Sequence, residues 1–266
     1  MKMPQIGLGT FRLKGADAEN SVRMGLELGY RHIDTAQIYD NETEVGKVLT
    51  GSGMPRADVF LTTKIWTENL SKARLIPSLK ESLQKLQTDY VDLVLIHWPS
   101  PEGKVPLAET LEALMQAKSL GLSKEIGVSN FPISEMKKAV EIVGAKNIFT
   151  NQIEVHPYLQ NRKLVDYLQS VGVTVTAYMP LAYGKVMKDE TLLKIASRHG
   201  MTPADVVLSW LMDQEMVVIP SSTKKQNLQK NLQARRGLLT AEEKELIASL
   251  NSGERLANPA FAPAWD

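Results

Sequence analysis

Three ionisable side chains in this sequence each close a short apolar run, at positions where they could act together. Asp34, Lys64 and His97 end three such runs in succession along the chain. A buried lysine or aspartate costs free energy unless it is paired, so we expect Asp34 and Lys64 to form an ion pair on neighbouring strands. A carboxylate, an ammonium and an imidazole in one place can hold and transfer a proton, and this spacing therefore predicts a functional cluster.

Further polar side chains stand in or at the ends of the runs that follow. They are Ser129, Asn130, Asn151, Gln152, Glu154 and Tyr178. Hydroxyls and amides at strand ends can bind and orient a ligand through hydrogen bonds. His32 and His199 lie in the middle of a run and late in a helical segment, which favours core or surface roles for both.

Composition restricts the chemistry that is open to the chain. The 266 residues include no cysteine and four histidines, which excludes disulfides, thiolate catalysis and zinc held by cysteine. No two histidines have metal-ligand spacing, so we predict no metal site. The net charge of +1 favours neither a nucleic-acid partner nor a membrane surface. No targeting or membrane-spanning segment is recognisable, which predicts a soluble cytoplasmic protein.

The elements that must position these side chains alternate along the chain. Short apolar or β-branched runs predict strands at 6–10, 31–34, 59–64, 91–97, 125–129, 148–154, 173–178 and 217–220. Apolar residues at helical spacing predict helices at 17–28, 41–49, 71–86, 106–119, 134–143, 161–170, 189–199, 203–212 and 241–250. The helix at 41–49 follows Asp40, which we expect to be its N-cap.

This alternation predicts the α/β class and, within it, one (β/α)8 TIM-barrel domain over residues 1–266. The run 91–96 is apolar on both faces, which is typical of a parallel sheet covered on both sides. Eight strands alternating with helices fit a closed barrel, in which the chemistry lies at the C-terminal ends of the strands. A doubly wound open sheet is the alternative, but residues 7–11 break the G-x-G-x-x-G pattern that usually follows its first strand.

Several tracts, taken together and in order, resemble the aldo-keto reductase family. They are residues 29–36, 63–66, 95–99, 126–131, 151–158 and 219–222. The resemblance covers essentially the whole chain. Within the family, the tracts 34–42 and 75–86 are most similar to the bacterial 2,5-diketo-D-gluconate reductases of the B type, which also act as methylglyoxal reductases.

The resemblance implies a catalytic tetrad of Asp34, Tyr39, Lys64 and His97. Reduction of a carbonyl by hydride transfer places negative charge on oxygen and needs a proton donor, which the resemblance identifies as Tyr39. A free tyrosine has a pKa of about 10, so we expect Lys64 to lower the pKa of Tyr39 and Asp34 to hold Lys64. His97 would orient the substrate carbonyl. We expect the Asp34–Lys64 pair to lie at the barrel mouth, open to water.

The resemblance also implies NADPH as the cofactor, bound across the barrel mouth. The implied contacts are Thr10, Asp34, Ser129, Asn130, Gln152, Tyr178, Pro180, Leu181, Ser221, Ser222, Thr223, Lys224, Asn227 and Asn231. The lysines of the segment 221–231, which opens a helix, suit a phosphate dianion. Many relatives have Lys, Arg and Glu at positions 221, 227 and 230, so the preference for NADPH over NADH stays open, and we expect Lys224 to bind the 2′-phosphate.

The implied substrates are small activated carbonyl compounds: diketo-sugar acids, α-dicarbonyls such as methylglyoxal, β-keto esters and aldehydes. Tyr39, His97, Trp66, Trp98 and the C-terminal residues 257–266 would line or cover the substrate pocket. We expect a monomer without nucleic-acid or membrane partners. Two alternatives remain: a Schiff-base lyase with Lys64 as the nucleophile, and a regulatory binding module that holds a cofactor.

Overall fold

Eight parallel strands form one sheet in the computed structural model, which describes residues 2–266. The strands are β1 (Leu8–Gly9), β2 (His32–Asp34), β3 (Phe60–Ile65), β4 (Val91–Ile96), β5 (Ser123–Ser129), β6 (Thr150–Glu154), β7 (Thr174–Tyr178) and β8 (Val217–Val218). Neighbours in the sheet follow chain order from β1 to β8, and every pair is parallel. This sequential order differs from that of a doubly wound sheet, in which the strand order reverses.

Backbone hydrogen bonds also join the two ends of this sheet. Ile6 forms a parallel bridge with Val218. The N–H of Gly7 donates to the carbonyl of Val218 at 2.8 Å, and the N–H of Val218 donates to the carbonyl of Gln5 at 2.9 Å. The sheet is therefore curled, and its topology is consistent with the predicted (β/α)8 barrel.

Ten α-helices connect or follow the strands within residues 2–266. They are α1 (Gly15–Leu28), α2 (Glu42–Gly51), α3 (Lys72–Leu86), α4 (Leu107–Ser119), α5 (Ile133–Val143), α6 (Arg162–Ser170), α7 (Glu190–His199), α8 (Pro203–Asp213), α9 (Lys225–Asn231) and α10 (Ala241–Ala248). The predicted strands and helices are confirmed, with ends that differ by no more than two residues. Over the same residues, no helix combines the length and the apolar character needed to cross a membrane.

The apolar core lies mainly between the sheet and the helices. Helix α3 shows how it is built: its leucines at 75, 79, 83 and 86 share one face and are buried against the sheet. A second, smaller cluster includes Phe60, Leu93 and Val217, near the N-terminal ends of their strands. Because side chains two residues apart share a face, Phe60 and Lys64 lie on the same side of β3. The small apolar cluster therefore lies near the N-terminal ends of the strands, and the polar side chains lie at their C-terminal ends. This polar end of the sheet is called the mouth below.

Asn41 fixes the loop that carries Tyr39. The predicted N-cap at Asp40 is wrong: Asp40 has a φ of 52° and precedes the cap, which is Asn41. The Asn41 side chain does not cap the helix. Its Nδ2 donates to the carbonyl of Thr10 at 2.9 Å, and its Oδ1 accepts from the hydroxyl of Thr35 at 2.6 Å. The ends of β1 and β2 are thereby tied together beneath the Tyr39 loop.

Candidate active site

Lys64 forms the centre of a hydrogen-bonded cluster at the mouth. Its Nζ donates to Oδ1 of Asp34 at 2.5 Å, to the carbonyl of Thr35 at 2.9 Å and to Oη of Tyr39 at 3.2 Å. An ammonium group has three hydrogens, so each of them has an acceptor. The predicted ion pair between Asp34 and Lys64 is confirmed.

The ion pair lies deeper than expected. The Lys64 and Asp34 side chains are only 0% and 2% exposed, so the expectation that the pair is open to water is wrong. The ring of Tyr39 covers the pair, with its centroid 4.8 Å from Nζ of Lys64, and Nε2 of Gln152 donates to Oδ2 of Asp34 at 2.7 Å. Burial lowers the pKa of Lys64, and the Asp34 carboxylate opposes that shift.

Tyr39 is half-buried, and its hydroxyl borders the mouth. Burial raises the pKa of Tyr39 well above its ordinary value, and the negative charge of Asp34 raises it further. The expected lowering of this pKa is therefore not seen in the ligand-free chain, where burial is the largest cause of the shift. Tyr39 is therefore protonated at neutral pH. Since its oxygen accepts the hydrogen bond from Lys64, its own hydrogen is free to point elsewhere.

His97 directly follows β4 and is almost completely buried. Burial lowers the pKa of His97 well below its ordinary value, and the positive charge of Lys64 lowers it further. The imidazole is therefore neutral. Its ring packs edge-on against Tyr39 and Trp66, with centroid distances of 5.6 Å and 5.2 Å. Its Nδ1 is buried without a hydrogen-bond partner among the described residues.

A second polar network extends from the ion pair across the ends of β5, β6 and β7. The Ser129 hydroxyl donates to the carbonyl of Gln152 at 2.7 Å, and the Tyr178 hydroxyl donates to Oδ1 of Asn130 at 2.7 Å. Asn130 has a φ of 62°, a left-handed conformation that asparagine tolerates better than most residues. Gln152 connects this network to Asp34. Four predicted cofactor contacts thus form one continuous polar surface.

A single cavity of about 980 Å³ connects this surface with the segment that follows β8. The predicted site residues that line it are Asp34, Tyr39, Trp66, His97, Trp98, Ser129, Asn130, Gln152, Tyr178, Pro180, Leu181, Ser221, Ser222, Asn227 and Asn231. Thr10, Thr223, Lys224 and Lys64 are not among the lining residues. The hydroxyl of Thr10 donates to the carbonyl of Asp34 at 3.0 Å, so Thr10 supports the site from below.

The cavity also has lining residues that sequence reasoning missed. Arg12 lies beyond β1, and its guanidinium is 4.7 Å from the ring centroid of Tyr183 in the loop after β7. Because Arg12 follows closely after the end of a strand, its position in the sequence could have identified it as a site residue. Tyr183 has a φ of 52° in an irregular loop, and no sequence pattern predicts that path. Lys230, rather than Lys224, is the lysine of the α9 region that lines the cavity.

The C-terminal tail, residues 251–266, forms another wall of the cavity. The ring of Phe261 packs edge-on against Trp66 and Trp98, with centroid distances of 5.8 Å and 5.7 Å. Trp265 lies 6.0 Å from Trp98 in the same cluster. The space beside His97 is therefore enclosed by aromatic side chains from the strand ends and from the tail.

The arrangement fits an elongated nucleotide ligand. The cavity volume lies at the upper end of the usual range for cofactor sites, roughly 300–1,000 Å³. Amide and hydroxyl groups at the ends of β5 and β6 line the cavity, and so do Ser221, Ser222 and Lys230 from the segment after β8. Within residues 2–266, no group of three or more His, Cys, Asp or Glu side chains is placed to hold a metal ion. The amide and hydroxyl groups that line the cavity suit an organic cofactor.

Comparisons with known proteins agree with this geometry. The sequence profile of the Aldo/keto reductase family matches residues 5–252. The chain is 57% identical over 267 aligned positions to methylglyoxal reductase DkgB of Escherichia coli O157:H7, with full coverage of both chains. It is 36% identical to glyoxal reductase of Bacillus subtilis (strain 168), covering 97% of this chain and 93% of the relative. A solved structure provisionally named 2,5-diketo-D-gluconic acid reductase B has a TM-score of 0.95 and 43% identity, over 99% and 94% of the two chains.

Proposed function

This chain belongs to the aldo/keto reductase family, and on that premise we propose that it is an NADPH-dependent reductase of small activated carbonyl compounds. It is an oxidoreductase that acts on carbonyl groups and uses a nicotinamide cofactor, as its family and its reductase relatives establish. The observation that carries the finer proposal is the hydrogen bond from Nζ of Lys64 to Oη of Tyr39 at the edge of the cavity.

Tyr39 is the proposed proton donor. When bound, the nicotinamide cofactor supplies a hydride to the carbonyl carbon. The carbonyl oxygen then takes the proton of the Tyr39 hydroxyl, which is free because Lys64 occupies a lone pair of Oη. The tyrosinate that remains is stabilised by the Lys64 ammonium, and Asp34 keeps Lys64 in place. The raised pKa of Tyr39 keeps the donor protonated at neutral pH.

His97 is the proposed second donor to the substrate carbonyl. A buried unpaired N–H is rarer than a buried unpaired acceptor, so the orphan Nδ1 favours the tautomer that carries its hydrogen on Nε2. A neutral imidazole in this tautomer donates one hydrogen bond and brings no charge of its own. It can thus orient a carbonyl oxygen towards Tyr39, whose ring it contacts.

Binding of the cofactor is assigned to the polar network and to the cavity residues that follow β8. Ser129, Asn130 and Gln152 offer donors and acceptors for the nicotinamide amide, and Tyr178 offers a ring on which it can stack. Lys230 also lines the cavity, and a positive charge there suits the 2′-phosphate that distinguishes NADPH from NADH.

We assign the curled sheet to a closed (β/α)8 barrel formed by the chain as one domain. The hydrogen bonds of Val218 with Gln5 and Gly7, and of Gly9 with Pro220, support this assignment. In such a barrel, functional side chains come from the C-terminal ends of several strands. Asp34, Lys64, Gln152 and Tyr178 have this placement here.

The proposed substrates are small carbonyl compounds, with methylglyoxal first. The relatives are named for methylglyoxal, glyoxal and 2,5-diketo-D-gluconic acid. The cavity beside His97 is lined by Trp66, Trp98 and Phe261, which also suits aromatic aldehydes. A Schiff-base lyase is disfavoured, because Nζ of Lys64 has three hydrogen-bond acceptors and is not exposed to the cavity.

Oxidation of NADPH with a panel of carbonyl compounds tests the proposal. The panel comprises methylglyoxal, 2,5-diketogluconate, ethyl acetoacetate and 4-nitrobenzaldehyde. We expect turnover by the wild type and a loss of about 10²–10⁴-fold in kcat for Tyr39→Phe, the usual scale for removing a general acid. The dissociation constant of NADPH should stay unchanged in this variant. Near-normal turnover by Tyr39→Phe would assign the proton donation to another group, with His97 the first to test.

A further inference from the structure

Glu154 ends β6 at the mouth, yet the proposed chemistry does not use it. Its side chain is completely buried, a place where a carboxylate is costly unless its oxygens accept hydrogen bonds. Oε1 accepts from the N–H of Leu256 at 2.8 Å and from Nε2 of His156 at 2.8 Å, and Oε2 accepts from the N–H of Ala257 at 2.8 Å. Two of these three donors belong to the C-terminal tail.

The tail needs such an anchor because it contains neither helix nor strand. Its path must therefore be fixed by hydrogen bonds to other parts of the molecule. At the end of the tail, the side-chain carboxylate of Asp266 accepts from the N–H of Ile133 at the start of α5. The distances are 3.1 Å to Oδ1 and 3.0 Å to Oδ2. Nearer its beginning, the tail backbone is held by Glu154 through two consecutive N–H groups.

The segment that Glu154 holds continues directly into the substrate wall. The two residues whose N–H groups bind Glu154 line the cavity themselves. A few residues further on, Phe261 packs against Trp66 and Trp98. Trp66 in turn contacts the ring of His97. The position of the tail thus determines the volume that is open to a substrate beside His97.

We propose that Glu154 is a positioning residue for bulky substrates: its carboxylate fixes the wall formed by residues 256–261 and so determines how tightly aromatic carbonyl compounds bind. The inference rests on the proposed reductase function. Glu154 acts through the tail and not on the reacting atoms. Its loss should therefore raise KM for substrates that contact the wall and leave proton donation by Tyr39 intact.

The test compares two substrates in Glu154→Gln. Glutamine keeps the shape of the side chain but has an NH2 group in place of one acceptor oxygen. This NH2 group would then face an N–H group that donated to that oxygen in the wild type. We expect kcat/KM for 4-nitrobenzaldehyde to fall about tenfold or more, through KM, as when a pocket loses an apolar contact. Methylglyoxal has only three carbons and buries little surface against the wall, so its kcat/KM should change little. An unchanged ratio of the two kcat/KM values would overturn the proposal.

Glu243→Gln is the matched control. Glu243 is buried, accepts a hydrogen bond from Nε2 of the half-buried His199 at 2.9 Å and completes the capping box of α10, so it is a second buried glutamate bonded to a histidine. Neither of these residues lines the cavity. Glu243→Gln should lower the stability of the protein. It should leave unchanged the ratio of kcat/KM for 4-nitrobenzaldehyde to kcat/KM for methylglyoxal, called the substrate ratio below. An equal fall in the ratio in this control would mean that general destabilisation, and not tail positioning, causes the effect.

A double-mutant cycle tests whether Glu154 acts through Phe261. If it does, Phe261→Ala should lower the substrate ratio in the wild type but add little in Glu154→Gln. Additive losses would contradict the proposal. Ala257→Pro removes one tail N–H donor and places the proline Cδ against Oε2 of Glu154, so it should displace the tail and reproduce the altered ratio if Glu154→Gln does not fold.

Hydrogen exchange in the ligand-free protein provides a readout that does not depend on activity. Amide exchange at Leu256 and Ala257 should be faster in Glu154→Gln and normal in Glu243→Gln. Equal protection of these amides in wild type and Glu154→Gln would refute the anchoring. If the wild type reduced none of the carbonyl compounds, the proposed function would fail while this measurement still tested the anchor. If the wild type were active and the substrate ratio unchanged, only the role of Glu154 would fail.

Discussion

At the residue scale, the central feature is an ion pair that is buried more deeply than a strand-end position suggests. The Asp34 carboxylate is held by Lys64 and Gln152, and Tyr39 covers Lys64. Removing one partner of a buried pair typically costs about 3–5 kcal/mol, because the remaining charge is left without compensation. Since both side chains are almost inaccessible to water, solvent reduces this cost little.

Lys64→Met should therefore abolish reductase activity and destabilise the ligand-free protein by about 3–5 kcal/mol. The double variant Asp34→Asn with Lys64→Met should recover part of that stability and remain inactive, because no unpaired charge is left. Urea unfolding of the wild type, the two single variants and the double variant measures the interaction. Strictly additive losses would show that the two groups do not stabilise each other, and the tetrad would lose its electrostatic link.

At the element scale, the periodic parts of the chain were predictable and the irregular parts were not. Strand ends placed Asp34, Lys64 and His97 correctly because parallel strands present their C-terminal ends at one edge. The depth of the ion pair was missed because it depends on how the Tyr39 loop folds over it. The partners of Glu154 were missed because the tail has no periodic pattern.

Helix α9 also has a feature that the sequence did not predict, namely which of its lysines lines the cavity. This feature yields a prediction about the cofactor. Lys224 precedes this helix as its N-cap and does not line the cavity, whereas Lys230 near its end does. A hydrogen bond to a charged group contributes about 1.5–3 kcal/mol, and Lys230 is exposed in the ligand-free chain, so we expect the lower end of this range. Lys230→Ala should weaken NADPH binding about tenfold and leave NADH binding unchanged.

Lys224→Ala is the matched control for this measurement, because it removes the same charge six positions earlier in the sequence. Fluorescence titration with both cofactors should detect little change in this variant. A larger loss of NADPH affinity in Lys224→Ala than in Lys230→Ala would return the phosphate contact to Lys224. Equal weakening of NADPH and NADH by Lys230→Ala would assign Lys230 a role in supporting the helix.

At the scale of the whole molecule, the contact between β1 and β8 depends on close packing around His32. Gly7 bonds to Val218 across this contact, and a Cβ at Gly7 would lie 2.5 Å from Nδ1 of His32. The His32 ring is buried inside the curled sheet, with Nε2 3.4 Å from the hydroxyl of Thr62, and its Nδ1 meets the geometric criteria for a hydrogen bond with no side chain or backbone group of residues 2–266. Burial lowers the pKa of His32 to about 4, so the folded protein keeps this ring neutral.

This buried histidine should make the stability of the whole molecule depend on pH. Between pH 6.5 and 4 the unfolded chain binds a proton at His32 that the folded chain does not, so the free energy of unfolding falls as the pH falls through that window. At pH 5 the loss from this group is about 2 kcal/mol relative to pH 8. His32→Gln carries no titratable ring, so it should lose correspondingly less stability over the same interval. Urea unfolding of both proteins at pH 8 and pH 5 measures the difference, and parallel losses would mean that His32 is protonated as readily in the folded chain as in the unfolded one.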